Sequence, residues 1–280
     1  MSVTVTLHVF SGRPDPSWEL TLDQVRELSD RIRQLDRTTL LKPPGIVGNL
    51  GYRGFSVSAV REERLDPHIY LHGGIVDLDR FDLNRVADDT ALEGWLLGTG
   101  SSAVDPTVEA FVRSALLGGS PATVASVPPH PTAALVPPYD PGKWNNDAGI
   151  RTRNNCYNYA NDKITNTFAQ PGRGSGLTLT AIDCGNVGAA AVRDGQVPMG
   201  SATSTPALGH FVALVIWPGQ DYHWYRLDSG GMWSHKPGQT PARNIDNSGS
   251  AVSDPQACNR GPYTTWCGYY HCVPANTRIA

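Results

Sequence analysis

The chain has 280 residues, of which 40% are apolar and 18% are charged, with a formal net charge of −3. This weakly acidic net charge gives no electrostatic reason to expect binding to nucleic acid or to an anionic membrane, and no apolar run has the length of a bilayer span. The length favours about two domains of ordinary size, and frequent Gly and Pro indicate many turns.

The first ten residues lack a basic start followed by an apolar core, so they are not typical of a standard secretory signal. The localisation stays open between a cytoplasmic protein and one exported by a non-classical route. Neither nucleic acid nor a membrane span is expected among its interactions.

Residues 1–119 are predicted to form a small α+β domain. Apolar and polar residues alternate over residues 3–9, as in a half-buried strand. Thr21 and Gln24 have the spacing of a capping box, and apolar residues at helical spacing follow as far as Leu35. Two further strands and two helices are predicted at residues 54–60, 69–72, 83–97 and 106–117.

Three histidines, His8, His68 and His72, carry the most reactive side chains of this domain. No cysteine or carboxylate lies near them at metal-ligand spacing, so we interpret them as ordinary strand residues. Arg13 and Trp18 flank a Pro-rich turn and are candidates for a recognition edge. The domain is expected to bind a protein partner or to cover a cleft of the second domain.

Residues 120–142 are predicted to be a linker, because they contain seven prolines. Proline lacks a backbone donor and disfavours helix in the residue before it, so an extended conformation is expected. A semi-rigid spacer is favoured over a strap that lies across the second domain.

The second domain is predicted to span residues 143–280, with Cys156 as its central residue. Asn155 can cap a helix, and apolar residues at helical spacing follow as far as Phe168. Cys156 then lies in the first turn, where the helix dipole lowers the pKa of a thiol and favours the nucleophilic thiolate. Cys184 is predicted to open another helix and is interpreted as structural.

The last part of the chain holds three more cysteines, Cys258, Cys267 and Cys272. Five cysteines can form two disulfides and leave one thiol, and the sequence does not decide whether any disulfide forms.

An antiparallel β-meander is predicted after the two helices, and its first hairpin covers residues 209–216 and 223–228. If the hairpin turns at about Gly219, residues whose numbers sum to about 438 face each other. Asp228 then lies opposite His210 on the same face of the sheet, and His223 faces the other way. A turn shifted by one residue reverses the two faces.

The order of these residues resembles that of the papain-like cysteine hydrolases, which include the NlpC/P60 and CHAP families. The resemblance covers residues 155–235 and rests on Asn155-Cys156 at a helix start, Gly209-His210 at the start of an apolar strand, and a polar residue on the next strand. NlpC/P60 proteins usually have an aspartate before the cysteine, where this chain has Asn155. The resemblance implies a papain-like domain built from a helix and an antiparallel meander.

The same resemblance implies a cysteine-dependent hydrolase or acyltransferase that acts on an amide or ester bond, with a peptide or amide substrate and no cofactor. In such a site His210 takes the proton of Cys156, and the thiolate attacks a carbonyl carbon. Asp228 is the predicted third residue, because it can orient the imidazole and stabilise its cation. His223 is the alternative, because it lies at the spacing that NlpC/P60 proteins use.

The other predicted site residues surround this group. The side-chain amides of Asn155 and Asn154 are candidates for stabilising an oxyanion. Trp224, Trp233 and His235 are candidates for binding the substrate.

Two other classes of function stay open. A non-catalytic binding protein is favoured by the aromatic residues of the last 60 positions, because such rings stack on sugars or fill interface pockets. A zinc or copper protein is the second, although no pair of ligands has tight spacing. Its ligands would come from Cys156, His210, His223, Asp228, His235 and His271.

Overall fold

A computed structural model describes residues 2–35, 48–60, 65, 68–78, 83–86, 90–118, 136–203, 206 and 208–280. The described residues form helices and two antiparallel sheets, so the predicted α+β class is confirmed. Contacts divide the chain into two compact units, the first comprising Met1–Val9, Asp15–Val47 and Tyr52–Pro121. The second comprises Phe10–Pro14, Gly48–Gly51 and Ala122–Ala280. The predicted domain boundaries at 119 and 143 stay a prediction.

Most of the predicted linker, residues 120–135, lies outside the described residues. The described remainder is irregular at Pro137 and Pro138, and a short helix begins at Gly142.

The first unit is built on a six-stranded antiparallel sheet. Its strands are β1 (Ser2–Leu7), β2 (Ser17–Glu19), β3 (Phe55–Val60), β4 (His68–His72), β5 (Ile75–Leu78) and β6 (Leu83–Val86). In space they follow the order β2-β1-β3-β4-β5-β6. The predicted alternation of the first strand is confirmed, because β1 buries Val3, Val5 and Leu7 and turns its polar residues outward.

The described residues of this unit include three helices: α1 (Leu22–Gln34), α2 (Ala91–Thr99) and α3 (Pro106–Leu117). The predicted capping box is confirmed, since the Thr21 hydroxyl accepts from the Gln24 backbone N–H and the Gln24 side chain accepts from the Thr21 backbone N–H. The predicted helix at 106–117 is also confirmed.

The predicted helix at 83–97 is wrong in its first part. Residues 83–86 pair with β5 as an edge strand, and Val86 lies opposite Ile75. The helix begins only at Ala91, so residues 83–86 pair with a neighbouring strand and do not extend the helix that follows.

His8 lies just after β1 and not in it, and both of its ring nitrogens have hydrogen-bond partners, Asp15 at 3.1 Å and Ser56 at 2.9 Å. The two members of the predicted recognition edge belong to different units, Arg13 to the second and Trp18 to the first. Trp18 donates its indole N–H to the Thr99 hydroxyl at 2.9 Å.

The second unit is built on a five-stranded antiparallel sheet. Its strands are β7 (Val197–Met199), β8 (His210–Trp217), β9 (Asp221–Leu227), β10 (Trp233–His235) and β11 (Thr265–Cys272). In space they follow the order β10-β9-β8-β11-β7. The predicted meander is confirmed for β8, β9 and β10, whereas β11 comes from the tail, for which no strand was predicted. The short edge strand β7 carries Pro198 at its centre.

The hairpin of β8 and β9 has the predicted register, because Val212 pairs with Arg226 and Ala213 pairs with Tyr225. This register places the side chains of Val212 and Leu214 on the same face of the sheet.

In the part of the second unit that the structure describes, four α-helices are found: α4 (Gly142–Asn145), α5 (Ala148–Arg153), α6 (Cys156–Ala160) and α7 (Cys184–Arg193). α6 and α7 pack on the sheet, and together they form its main apolar core. The fully or almost fully buried members of this core include Tyr157, Ala160, Val187, Ala191, Val212, Leu214, Ile216, Tyr222 and Trp224.

A disulfide joins Cys184, at the start of α7, to Cys267 on β11. The register of β11 against β8 shifts between Trp266 and Gly268, so Cys267 occupies a β-bulge. Among the described residues, no helix combines the length and the apolar content that crossing a membrane requires.

Candidate functional site

Cys156 lies in the first turn of α6, as predicted, and Asn155 caps that helix. The Asn155 Oδ1 accepts hydrogen bonds from the backbone N–H groups of Tyr157 at 3.0 Å and Asn158 at 3.1 Å. The Asn158 side chain in turn accepts from the Asn155 backbone N–H, which completes a capping box.

The helix is much shorter than predicted, because it ends at Ala160. Asp162, Asn166 and Phe168 have positive φ angles of 52°, 57° and 53°, a left-handed conformation that a right-handed helix cannot contain. The predicted continuation to Phe168 is therefore wrong.

The Cys156 thiol is completely buried, and its sulfur lies 3.9 Å from the Tyr222 carbonyl oxygen. Burial raises the pKa of this thiol to about 12, and the nearby Asp221 carboxylate acts in the same direction. Burial therefore opposes the predicted reactive thiolate, because the loss of water acts against the favourable position at a helix N-terminus.

His210 contacts the other end of the same helix. Its Nε2 lies 2.6 Å from the carbonyl oxygen of Ala160, the last residue of α6. A helix rises about 1.5 Å per residue, so Cys156 and Ala160, the residue that His210 contacts, are about 6 Å apart along the helix axis. Burial lowers the pKa of His210 to about 4. No hydrogen bond joins Cys156 to His210 within the part of the chain that the structure describes.

Asp228 lies on the face of the sheet that the register predicted, but it is bound to a cation. Its Oδ1 accepts from the Arg226 Nε at 2.8 Å. The same guanidinium donates to Asp162 at 3.0 Å and stacks on the Tyr159 ring at 4.2 Å. Asp228 therefore balances a buried arginine rather than orienting His210.

His223 faces the opposite side of the sheet, where it belongs to a buried chain of hydrogen bonds. The His235 Nε2 donates to the Ile245 carbonyl oxygen at 3.0 Å, so its Nδ1 accepts from the His223 Nε2 at 2.9 Å. The His223 Nδ1 then accepts from the Ser11 hydroxyl. Burial lowers the pKa of His235 to about 3, which keeps this imidazole neutral.

The side-chain amides predicted to stabilise an oxyanion hold loops instead. The Asn155 Nδ2 donates to the carbonyl oxygens of Gly12 and Ala169, both at 2.8 Å. The Asn154 Nδ2 donates to the Ile150 carbonyl oxygen at 2.8 Å. Neither amide points into an open cleft, because both asparagines are completely buried.

The three residues predicted to bind substrate are also buried. Trp224 belongs to the main core, where its ring contacts those of Tyr157 and Tyr270. Trp233 and His235 are 4% and 1% exposed, so neither can contact a large ligand.

The most heavily hydrogen-bonded carboxylate of the unit, Asp221, was missed by the sequence analysis. It accepts from the backbone N–H groups of Ser11, Gly12 and Arg13 and from the Tyr263 hydroxyl. The first three partners lie 208 to 210 positions away along the chain, so no local spacing could have indicated this contact.

The structural interpretation of Cys184 is confirmed by its disulfide with Cys267. Cys258 and Cys272 carry thiols, as Cys156 does. Within the described ranges, no group of three or more His, Cys, Asp or Glu side chains is arranged to hold a metal ion.

Two aromatic side chains of this unit, Trp266 and Tyr269, are only partly buried. We call them, together with the neighbouring Arg260 and Asp254, the aromatic surface. The rings of Trp266 and Tyr269 meet edge to face at 4.9 Å. The Arg260 guanidinium lies 5.9 Å from the Trp266 ring centre, and the Tyr269 hydroxyl donates to the Asp254 carboxylate at 3.3 Å. The buried ring of Trp233 supports Tyr269 from 5.6 Å.

Comparisons with known proteins place the chain in a family. No family model matches it, and no solved structure matches it. A curated protein, insoluble matrix shell protein 1 from Ruditapes philippinarum, is 49% identical to the chain over 131 residues. This alignment covers 86% of the relative and 47% of the chain.

The prediction of a cysteine hydrolase, peptidase or amidase type, is wrong. The relative is named as a matrix protein of a shell and not as a hydrolase, and nearly half of the residues are shared over most of its length. The geometry agrees, because Cys156, His210 and Asp228 each have a structural partner. The chain belongs to the family of insoluble matrix shell protein 1.

Proposed function

We propose that the chain is a non-catalytic binding protein that attaches to an insoluble matrix through the aromatic surface of its second unit. The name of the relative supports a matrix role. The observation that carries the proposal is the position of Trp266 and Tyr269, whose rings stay partly exposed while Trp224 and Trp233 are buried.

The chemistry of the aromatic surface fits the rings of a polysaccharide. An aromatic face packs against the C–H groups of a sugar ring, and it offers a large contact area at a small cost in conformational entropy. Arg260 and Asp254 flank the two rings and can donate to and accept from sugar hydroxyl groups.

The surface is also held in a fixed geometry before any ligand binds. Cys267, which lies between the two rings in sequence, is tied to α7 by the disulfide. The buried Trp233 ring packs against the Tyr269 ring. Side chains that are already ordered lose little entropy on binding, which favours affinity.

The finer description of the fold, a papain-like second domain, also stays a proposal. The order of α6, β8 and β9 supports it. Such a relationship would concern the fold alone, because one fold can carry many functions.

Co-sedimentation of the full-length protein with chitin and cellulose powders tests the proposed function. We expect one of these polysaccharides to retain the protein, and Trp266→Ala to weaken its binding about tenfold, or about 1.4 kcal/mol. Trp95→Ala is the matched control, because Trp95 is a partly buried tryptophan of the first unit that also has an arginine, Arg31, over its ring.

Equal binding by the wild type and Trp266→Ala would contradict the proposal, as would the absence of binding to either powder. Calcium carbonate crystals form a separate arm of the experiment. If the crystals alone retain the protein, and Trp266→Ala does not change that binding, the protein binds mineral and the proposed stacking on sugar rings is rejected.

A further inference from the structure

We propose that a cavity of the second unit binds one sugar ring that carries a carboxylate group. We call it the polar cavity and define it by six of the residues that line it: Thr152, Arg153, Asn166, Thr167, Phe168 and Gln239. The proposal goes beyond attachment to a matrix and does not depend on the aromatic surface, with which the polar cavity shares no residue.

The polar cavity is large enough for one sugar ring. Its volume is about 330 Å³, at the lower end of the range for small-molecule sites. Its walls come from the end of α5, from the loop that follows α6 and from the loop that follows β10. All of these residues belong to the second unit, so one folded unit forms the whole site.

The charge on the walls favours an anion. Arg153 lies in the last turn of α5, and no side chain that lines the cavity is acidic. The Arg153 side chain is exposed and donates its Nε to the Gly149 carbonyl oxygen at 3.2 Å. Among the described residues, no carboxylate forms an ion pair with it. A guanidinium can offer two parallel donors to a carboxylate, so a carboxylate is a fitting partner for Arg153.

Further donors on the walls match the hydroxyl groups of a sugar. The Asn166 Oδ1 accepts from the Asn154 Nδ2 at 2.9 Å, and its own Nδ2 has no hydrogen-bond partner within the described ranges. The side chain of Gln239 is partly buried and likewise makes no hydrogen bond to a described residue. Sugar hydroxyl groups can accept from such amides, while the Phe168 ring can pack against the C–H groups of a sugar.

The backbone of the wall at residues 166–168 is held in an unfavourable conformation. Asn166 and Phe168 have φ angles of 57° and 53°, which are costly for residues with a Cβ atom. The Asn154 Oδ1 holds the first of them by accepting from its backbone N–H at 3.0 Å. The Phe168 backbone N–H donates to the Arg153 carbonyl oxygen at 2.8 Å. Residues held in rare conformations cluster at ligand-binding sites, and here two of them line one cavity.

The buried Lys236 side chain holds two other walls of the cavity together. Its ammonium donates to the carbonyl oxygens of Arg151 and Asn154, both at 2.5 Å, and of Gly238 at 2.7 Å. The first two acceptors belong to the end of α5, and the third directly precedes Gln239. The walls are therefore fixed to each other before a ligand binds, which lowers the entropy cost of binding.

An NMR titration of the isotope-labelled, full-length protein with glucuronate tests the ligand class. We expect the backbone amide signals of Asn166 and Phe168 to shift as glucuronate is added. Glucose lacks the carboxylate and acetate lacks the ring, so each should bind about tenfold more weakly. Equal binding of glucose would overturn the role of charge, and equal binding of acetate would overturn the sugar ring.

The positions of the shifted signals test the site. No shift at Asn166 and Phe168, or shifts at Trp266 and Tyr269 in their place, would overturn the assignment of the sugar to the polar cavity.

Arg153→Gln tests the contact with the carboxylate. We expect it to lower the affinity for glucuronate about tenfold, as the loss of a hydrogen bond to a charged group predicts. Arg193→Gln is the matched control, because Arg193 is also an exposed arginine in the last turn of a helix, α7, and also donates to a backbone carbonyl oxygen. Equal affinities of the two variants would overturn the role of Arg153.

Phe168→Gly separates the role of the ring from the folding of the loop. Glycine adopts a positive φ without the cost that a Cβ atom brings, so the loop can keep its conformation without the ring. We expect amide signals away from the cavity to stay in place and the affinity for glucuronate to fall about fivefold. Unchanged affinity in Phe168→Gly would overturn the packing of a sugar on this ring.

Discussion

Two opposing effects act on the Cys156 thiol. The first turn of a helix favours an anion by about 0.3 to 1 kcal/mol near a surface, whereas the removal of a charge from water costs several kcal/mol. Burial prevails here, and the pKa rises to about 12. A cysteine in the first turn of a helix is therefore reactive only where it is also open to water.

Alkylation with iodoacetamide at pH 8 tests this balance. A thiol with a pKa near 12 instead of 9.0 has about a thousandfold less thiolate at the same pH. We expect the folded protein to be labelled at the partly buried Cys258, with Cys156 and Cys272 protected. Protein unfolded in guanidinium is the control and should label at all three. Labelling of folded Cys156 as fast as Cys258 would contradict the assignment.

Two buried histidines make stability depend on pH. In the unfolded chain His210 takes a proton below pH 6.5, whereas in the folded protein its pKa is about 4 and that of His235 is about 3. The unfolded state therefore binds more protons between these values, and the free energy of unfolding falls as the pH drops from 6.5 toward 4.

Replacement of one histidine isolates its share of this effect. His210→Gln should reduce the slope of the unfolding free energy against pH by about 1 kcal/mol per pH unit on average between pH 6 and 4, measured by urea unfolding. His68→Gln, at an exposed position, is the matched control for the replacement of a histidine. An unaltered slope in His210→Gln would show that this imidazole does not stay neutral in the folded protein.

At the scale of elements, local sequence patterns predicted helices and strands correctly where residues close in sequence determine the structure. The capping box of α1 and the register of the β8–β9 hairpin depend on residues within one helix turn or one hairpin, and both are confirmed. The strand β11 was missed because its partner β8 lies far away in sequence. The interruption after α6 was missed because Asp162, Asn166 and Phe168 are held in left-handed conformations that apolar spacing does not indicate.

The disulfide joins α7 to β11, which are distant in sequence, and its removal should lower the free energy of unfolding. Cys184 and Cys267 are 83 positions apart, and closing a loop of that length stabilises a folded chain by about 4 kcal/mol in the entropic account. The double variant Cys184→Ser, Cys267→Ser should lower the free energy of unfolding by about this amount in guanidinium.

Cys258→Ser is the control for this experiment, because Cys258 is outside the disulfide, and its effect should stay below about 1 kcal/mol. A double variant as stable as the wild type would mean that packing of α7 on the sheet holds these elements without the covalent bond.

At the scale of the whole molecule, the sequence indicated the α+β class but not the site. The predicted catalytic residues were chosen by residue type and order, and their types are equally suited to a packed interior: His210 binds a helix end, and Asp228 neutralises Arg226. The segment Phe10–Pro14 belongs to the second unit, although the residues on either side of it belong to the first. The packing of this segment with residues far away in sequence produces no periodic pattern, so it could not have been predicted from the local sequence.

The edge of the second sheet has a consequence for how the protein could form a solid. β7 is only three residues long, and its central Pro198 has no N–H group to offer to a neighbouring chain. The side chains beside it, Val197 and Met199, are 53% and 39% exposed, a combination that would otherwise invite fibrils. Pairing of folded molecules strand to strand, edge against edge, is therefore disfavoured at β7, so an assembly of folded molecules would use other surfaces.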